Sequence, residues 1–180
     1  MDSELMQAAS DVADLLARTQ TRMVLAESCS GGLVAAALVG VPGISDWLCG
    51  SAVTYRDDTK HRWLGVSQSA LDDPAITAVS EIVACQMAGG VLQSTPEADL
   101  AVVTTGHLGP GAGELDGVVF LGVATRDEAQ IRVEAERHNL VSPEPAGRQD
   151  REGRQRRQRE TTLLALRCVI RALGARPSSA

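Results

Sequence analysis

The sequence predicts an α/β protein, a three-layer α/β/α sandwich around a mixed sheet of about five strands. Three observations point to it. Segments of helical period alternate with apolar segments of strand length, in the order helix, strand, helix, strand, helix, strand, strand, strand, helix. Asp99–Thr105 is a continuous apolar run of the kind buried on both faces of a parallel sheet. The short connection Arg126-Asp127-Glu128 joins the last two strands as a hairpin, so that pair is antiparallel. With 180 residues the chain is expected to form one domain over 1–180. Apolar residues make up 44% and aromatics only 2%, so the core has to be built from Ala, Val, Leu and Ile.

Taken in order, residues 3–18 place Leu5, Ala8, Ala9, Val12, Leu15 and Leu16 on one helical face. Arg22–Ala26 is the first strand, followed by a turn at Ser28 and a helix to about Val39. Pro42 and Gly43 end that helix. Trp47–Tyr55 is the second strand, broken at Cys49-Gly50. Asp57 and Asp58 can cap a short helical turn carrying Lys60 to Leu64. Gly65–Pro74 reads as a connector. Ser80 and Glu81 start a helix reaching about Leu92, stapled by Val79.

Strand Asp99–Thr105 leads into Gly106–Gly117, a loop with glycines at 106, 109, 111, 113 and 117. Val118–Thr125 and Gln130–Glu136 are the final strands. Residues 140–153 are rich in Pro and Gly and are expected to be mobile. Arg154–Leu173 reads as a last helix, with Leu163, Leu166, Ile170 and Leu173 on its buried stripe.

Composition narrows the function classes. No apolar run is long enough to span a membrane and the first residues are acidic, so a cytoplasmic protein without membrane contact is expected. Cys29, Cys49, Cys85 and Cys168 lack metal-ligand spacing and read as free thiols in a reducing compartment. The net charge is −6, yet residues 141–180 hold nine Arg against four acids. An acidic body with few aromatics argues against a nucleic-acid partner. An arginine face meeting acidic surface or a substrate phosphate fits better.

The chemistry concentrates in Val24–Ala37. A strand feeds a helix through Glu27-Ser28-Cys29-Ser30-Gly31-Gly32, which presents a small nucleophile and free backbone N–H groups at a helix start. Ser28 is the first candidate nucleophile. Cys29 is its rival, because thiolates form readily at helix N-termini. Glu27 either holds the turn or contacts a ribose.

A serine hydroxyl needs a base. His61, His107 and His138 are available, but Lys60 is preferred: it is the only lysine among 17 basic residues, five positions after the only tyrosine, Tyr55. Unlike arginine, a lysine can be neutral and take a proton, and Tyr55 can orient it or pass a proton onward. Spacing alone leaves open that Ser28 is a helix cap and Lys60 a surface charge. Thr105 and Gly106, at a strand end, can complete a pocket with the Ser28 turn.

Ala26-Glu27-Ser28-Cys29-Ser30-Gly31-Gly32, Tyr55 with Lys60, Ala78-Val79-Ser80-Glu81, Thr105-Gly106-His107-Leu108-Gly109-Pro110-Gly111 and Gly117-Val118-Val119-Phe120 together resemble the C-terminal domain of the competence/damage-inducible protein CinA. The resemblance covers about residues 3–136. It implies a nicotinamide-nucleotide amidase that converts nicotinamide mononucleotide to nicotinate mononucleotide and ammonia. In that reading Ser28 forms an acyl-enzyme, Lys60 is its base and Tyr55 assists, with neither metal nor cofactor. Thr105 lies in the substrate pocket, and N–H groups near Ser30, Gly31 and Gly32 meet the oxyanion or the phosphate. A homodimer or larger homo-oligomer is implied as well.

Four departures stand out. Ser30 replaces a Thr. Arg56-Asp57-Asp58-Thr59 replaces Ser-Asn-Glu-Ala. His107-Leu108 replaces Ile-Ala, in a loop that lacks a Lys-Pro extension. The Gly-Asp-Arg motif that supplies a substrate-contacting arginine has no unambiguous counterpart; Arg151, Arg154 and Arg156 are the candidates.

Overall fold

The computed structural model describes residues 3–127, 130–147 and 149–174; Glu128, at the expected hairpin connection, lies outside them. Helix α1 (Ser3–Thr19) precedes β1 (Met23–Glu27), α2 (Leu33–Val39), β2 (Leu48–Val53), α3 (Asp57–Leu64), α4 (Gln68–Asp72) and α5 (Glu81–Gln93). Then come β3 (Leu100–Gly106), β4 (Val118–Asp127), β5 (Gln130–Asn139) and α6 (Arg151–Gly174), with short 3-10 turns at Ile44–Asp46 and Gly113–Leu115.

The five strands form one mixed sheet in the order β2-β1-β3-β4-β5. β1 is parallel to both β2 and β3. β4 runs antiparallel to β3 and β5. Alternation along the strands feeds two cores. Met23, Leu25, Leu100 and Val102 pack with α1, α2 and α6, whereas Val24, Ala26, Ala101 and Val103 pack with α3 and α5. The sheet therefore has helices on both faces, as the sequence predicts.

Several boundaries differ from expectation for identifiable reasons. The break at Cys49-Gly50 is a register shift inside a continuous β2. The connector contains α4, a five-residue helix capped by Ser67, whose hydroxyl accepts from Ala70 N–H at 3.2 Å. Asp57 and Asp58 do not cap α3. Arg56 is its N-cap residue, with Thr59 Oγ1 accepting from Arg56 N–H at 3.3 Å. α6 starts three residues early because the Asp150 carboxylate accepts from Gly153 N–H at 2.8 Å. Its buried residues include Arg157, Thr161, Thr162, Ala165 and Cys168, while Leu163 and Ile170 pack only partly. The staple on α5 is present, for Val79 and Ala84 share one apolar cluster.

The 140–147 segment is tied to its surroundings. Leu140 N–H donates to Gly117 O at 2.8 Å, and Val141 and Ser142 N–H donate to the Glu160 carboxylate.

From β1 the chain crosses to β2 on one side, and from β3 it turns to β4 on the other. Their carboxyl ends thus diverge, and that crevice is where open α/β sheets bind ligands.

Candidate active site

A cavity of about 460 Å³ opens in this crevice. Five parts of the chain supply its wall: Ser28 and Cys29 after β1, Tyr55, Asp57 and Lys60 around the start of α3, Ala78 and Val79 before α5, residues 105–112 after β3, and Arg154 on α6. The structure thus brings Ser28, Tyr55, Lys60, Thr105, Gly106 and Arg154 together. Arg156 is exposed and absent from the wall. Of the three candidate arginines, only Arg154 faces the cavity.

The Ser28 turn is built from below by Glu27. Its carboxylate is wholly buried (0% exposed) and accepts five hydrogen bonds: from Ser30 Oγ (2.8 Å), Gly32 N–H (2.9 Å), Val34 N–H (3.0 Å), Ala35 N–H (2.9 Å) and Ser51 Oγ (3.0 Å). A negative charge at the start of α2 satisfies N–H groups that the helix leaves open. Gly31 and Gly32 have φ of 66° and 96°, a left-handed conformation that glycine adopts without steric cost. Ser30 is buried, donating to Glu27, with its oxygen 2.7 Å from Thr104 Oγ1.

The sequence offers Glu27, Ser30, Gly31 and Gly32 as substrate contacts. None of them lines the cavity, and the Gly32 N–H is already engaged by Glu27. Gly31 N–H donates to Ser28 O at 3.2 Å. Of the two roles open to Glu27, the structure gives it the one of holding the turn.

Ser28 is anchored by its backbone N–H, which donates to Thr104 O at 2.9 Å. Cys29 turns inward against Leu108 and Val119. Burial pushes its thiol up to about 12, outweighing the lowering by the Thr104 hydroxyl and nearby backbone N–H groups. It stays protonated and is no rival to Ser28 as a nucleophile.

Lys60 is 3% exposed, an unusual place for a lysine unless it is paired. Its partner is Asp57, one helical turn earlier, with Nζ 2.7 Å from Oδ1. Among the described residues no hydrogen bond joins Lys60 to Ser28. Asp and Lys three apart on a helix are neighbours by geometry, which is the signal the sequence carries for this pair.

Arg154 spans the mouth of the cavity. Nη2 donates to the Tyr55 hydroxyl at 2.8 Å, and Nη1 to Gly109 O at 3.2 Å. The Thr105 hydroxyl donates to Ala78 O at 2.7 Å and so ties β3 to the segment before α5. Gly106 is required because a Cβ there would lie 2.4 Å from Val119 Cγ1.

The histidines divide. His107 lines the cavity, whereas His61 Nδ1 sits 2.7 Å from Val66 O and His138 pairs with Glu136 on β5. The glycine loop closes over an ion pair between buried Arg157 and half-buried Asp116, and Asp116 also accepts from Gly111 N–H at 3.0 Å. Arg157 is therefore structural, holding the loop from α6.

The family model of the CinA C-terminal domain matches residues 5–172. A putative competence-damage inducible protein of Clostridium beijerinckii is 40% identical over 124 residues, covering 67% of this chain and 30% of that protein. A CinA-like protein of Desulforapulum autotrophicum is 43% identical over 117 residues, covering 63% and 27%. The chain thus spans less than a third of the length of these relatives. Among solved structures, the competence/damage inducible protein CihA from Agrobacterium tumefaciens superposes with a TM-score of 0.80 at 30% identity, covering 97% of this chain and 98% of that one. The competence damage-inducible protein A of Klebsiella pneumoniae gives 0.80 at 26% identity, covering 96% and 99%. The chain belongs to the CinA C-terminal domain family.

Proposed function

We propose that this chain is a serine amidase that hydrolyses nicotinamide mononucleotide to nicotinate mononucleotide and ammonia. One observation carries the reading: the only lysine of the chain is buried in the wall of the cavity that also holds Ser28, Tyr55, Thr105 and Arg154. A cavity of about 460 Å³ is of the size that small-molecule sites have.

Ser28 Oγ attacks the carboxamide carbon while Lys60, having left Asp57 and released its ammonium proton to solvent, takes the hydroxyl proton as a neutral amine. Collapse of the tetrahedral intermediate expels ammonia, with that proton delivered to the leaving nitrogen, and leaves a Ser28 ester. Water then attacks the ester, releasing the carboxylate and restoring the serine. The Cys29 N–H, one residue past the nucleophile and without an oxygen acceptor among the described residues, is the oxyanion donor. Arg154 takes the phosphate, exchanging Tyr55 for it.

The purified protein is incubated with the nucleotide and ammonia is assayed. Release by wild type that Ser28→Ala abolishes is the expected result; equal release by both overturns it. The Asp57–Lys60 pair favours a second reading, a nucleotide-binding module without turnover. That reading predicts thermal stabilisation by the nucleotide with no ammonia. Turnover of a different small amide by the same Ser28–Lys60 pair is separated by a panel of amides under the same assay.

A further inference from the structure

Thr54 follows β2 and is wholly buried (0% exposed). Among the described residues, its hydroxyl is the one buried side-chain oxygen or nitrogen without a hydrogen-bond partner. A hydroxyl taken out of water and left unpaired destabilises the fold, so such groups are rare in native structures and point to a use. Its backbone, by contrast, is fixed: the Thr54 N–H donates to Glu27 O at 2.8 Å.

The register of the sheet places this residue. Ala52, Ala26 and Val103 are paired across β2, β1 and β3, and all three pack on the side of α3 and α5. Side chains alternate between faces, so the row two positions on, with the same facing, is Thr54, Ser28 and Thr105. The ladder extends to that row, for Ser28 N–H donates to Thr104 O at 2.9 Å beside the Thr54–Glu27 bond. Three hydroxyl residues thus stand side by side at the carboxyl ends of the strands, with the nucleophile in the middle. The Thr105 hydroxyl is engaged by Ala78 O. Lys60 faces the same layer, because it and Leu64, one turn later on α3, are both buried and Leu64 belongs to that core. Its Nζ carries three N–H groups, of which Asp57 takes one.

We propose that Thr54 is a positioning residue: once Lys60 leaves Asp57, the Thr54 hydroxyl oxygen accepts one N–H of the amine and so turns its lone pair onto the Ser28 hydroxyl. The dimensions allow it. Neighbouring strands lie about 4.8 Å apart, and two oxygens at that spacing, each about 2.9 Å from one nitrogen, subtend about 110° there, close to the tetrahedral angle of an amine. The neutral amine donates one N–H to Thr54 and receives the Ser28 proton on its lone pair, so the proton count of the acylation step is unchanged. The proposal rests on the Ser28–Lys60 mechanism of the amidase reading, and not on the nucleotide as substrate.

Thr54→Val keeps the shape of the side chain without its hydroxyl, and Thr54→Ser returns the hydroxyl. For both variants and wild type, kcat and KM for ammonia release from nicotinamide mononucleotide are measured, together with the urea midpoint. The rate at which methanesulfonyl fluoride modifies Ser28, read by peptide mass, is measured as well. In that reaction the serine oxygen displaces fluoride from sulfur, and no nucleotide has to bind. Thr54→Val is expected to lower kcat and the sulfonylation rate by about 10-fold to 100-fold, with KM within about twofold and the urea midpoint not lowered. Thr54→Ser is expected to recover most of both rates. Wild-type rates in Thr54→Val overturn the proposal, and so does a lowered urea midpoint, which marks a structural hydrogen bond. Sulfonylation that depends on Thr54, without ammonia release by wild type, supports the proposal and overturns the nucleotide as substrate. Ammonia release indifferent to Thr54 does the reverse. Neither reaction in wild type overturns both.

Discussion

At the scale of single residues, the site separates groups that sequence places side by side. Ser28 and Cys29 both border the cavity, yet the Cys29 side chain packs against Leu108 and Val119. With its thiol pushed up to about 12, Cys29 is expected to resist alkylation by iodoacetamide at about pH 8 in the native protein and to react once unfolded. Mass mapping of the Cys29 peptide checks this; rapid native labelling with loss of activity would reopen the thiol as nucleophile. Arg154 and Arg156 offer a second contrast, two positions apart with one on the wall and one exposed. Arg154→Met is expected to raise KM for the nucleotide by about 10-fold to 100-fold, the loss of a charge-assisted phosphate contact, while Arg156→Met leaves KM within about twofold. Steady-state kinetics on the two variants decides it.

At the scale of elements, the helices and strands were legible because apolar periodicity survives in them, and the exceptions show what erases it. α4 is one short turn carrying Ser, Gln and Asp, with too few apolar positions to register a period. The last residues of β5 are charged because it is an edge strand, exposed along much of its length, so alternation fades before the strand ends. The Ser28, Lys60 and Tyr55 cluster was legible from composition, through a lone lysine and a lone tyrosine. The Asp57 pair, the inward Cys29 and the choice of Arg154 were not, because each depends on how α3 and α6 are set against the sheet. Glu27 was legible as a loop acid, but its five hydrogen bonds come from residues up to 24 positions away. Glu27→Gln, which turns one acceptor into a donor facing other donors, is expected to cost about 2–4 kcal/mol in urea unfolding.

Gly90 gives the element-scale case in which two effects oppose. Helix propensity favours Ala over Gly by about 1 kcal/mol in a helix interior. A Cβ at Gly90, however, would lie 1.7 Å from Leu64 O and 2.7 Å from Leu64 C, where α5 crosses the end of α3. Backbone cannot yield as a side-chain tip can, so packing wins. Gly90→Ala is expected to destabilise by about 3 kcal/mol, and a stabilised variant would show that the two helices do not approach as closely as described.

At the scale of the whole molecule, titratable groups on different elements set a window of stability against pH. On the alkaline side, burial raises Cys29 from its ordinary 9.0 to about 12 and Cys168, on α6, to about 11. Each thiol is protonated in the folded state and ionised in the unfolded state between those limits, so folding loses up to about 1.4 kcal/mol per pH unit per thiol. Stability from this source is complete below 9.0 and falls as pH rises through the folded values. On the acid side the sign reverses. Burial alone would raise the Asp116 carboxyl, but the Arg157 hydrogen bond and charge, with backbone N–H groups of the glycine loop, hold it below its ordinary 3.8. Burial likewise opposes, and Arg171 and His138 outweigh it, in holding Glu136 below 4.5. That stability is present above the ordinary carboxylate values and is lost as pH falls through the lowered ones. Unfolding free energies from urea titrations should therefore form a plateau between about pH 5 and 9 with a fall on each side. The limbs are assigned by variants: Cys29→Ala should flatten the alkaline fall, and Asp116→Asn the acid fall. Asp116→Asn should also lower the plateau by about 3 kcal/mol, because it leaves the Arg157 guanidinium buried without its counter-charge beneath the loop that forms the cavity wall. An Asp116→Asn profile parallel to wild type would mean that this pair, though it ties α6 to the glycine loop, does not couple the site to the stability of the molecule.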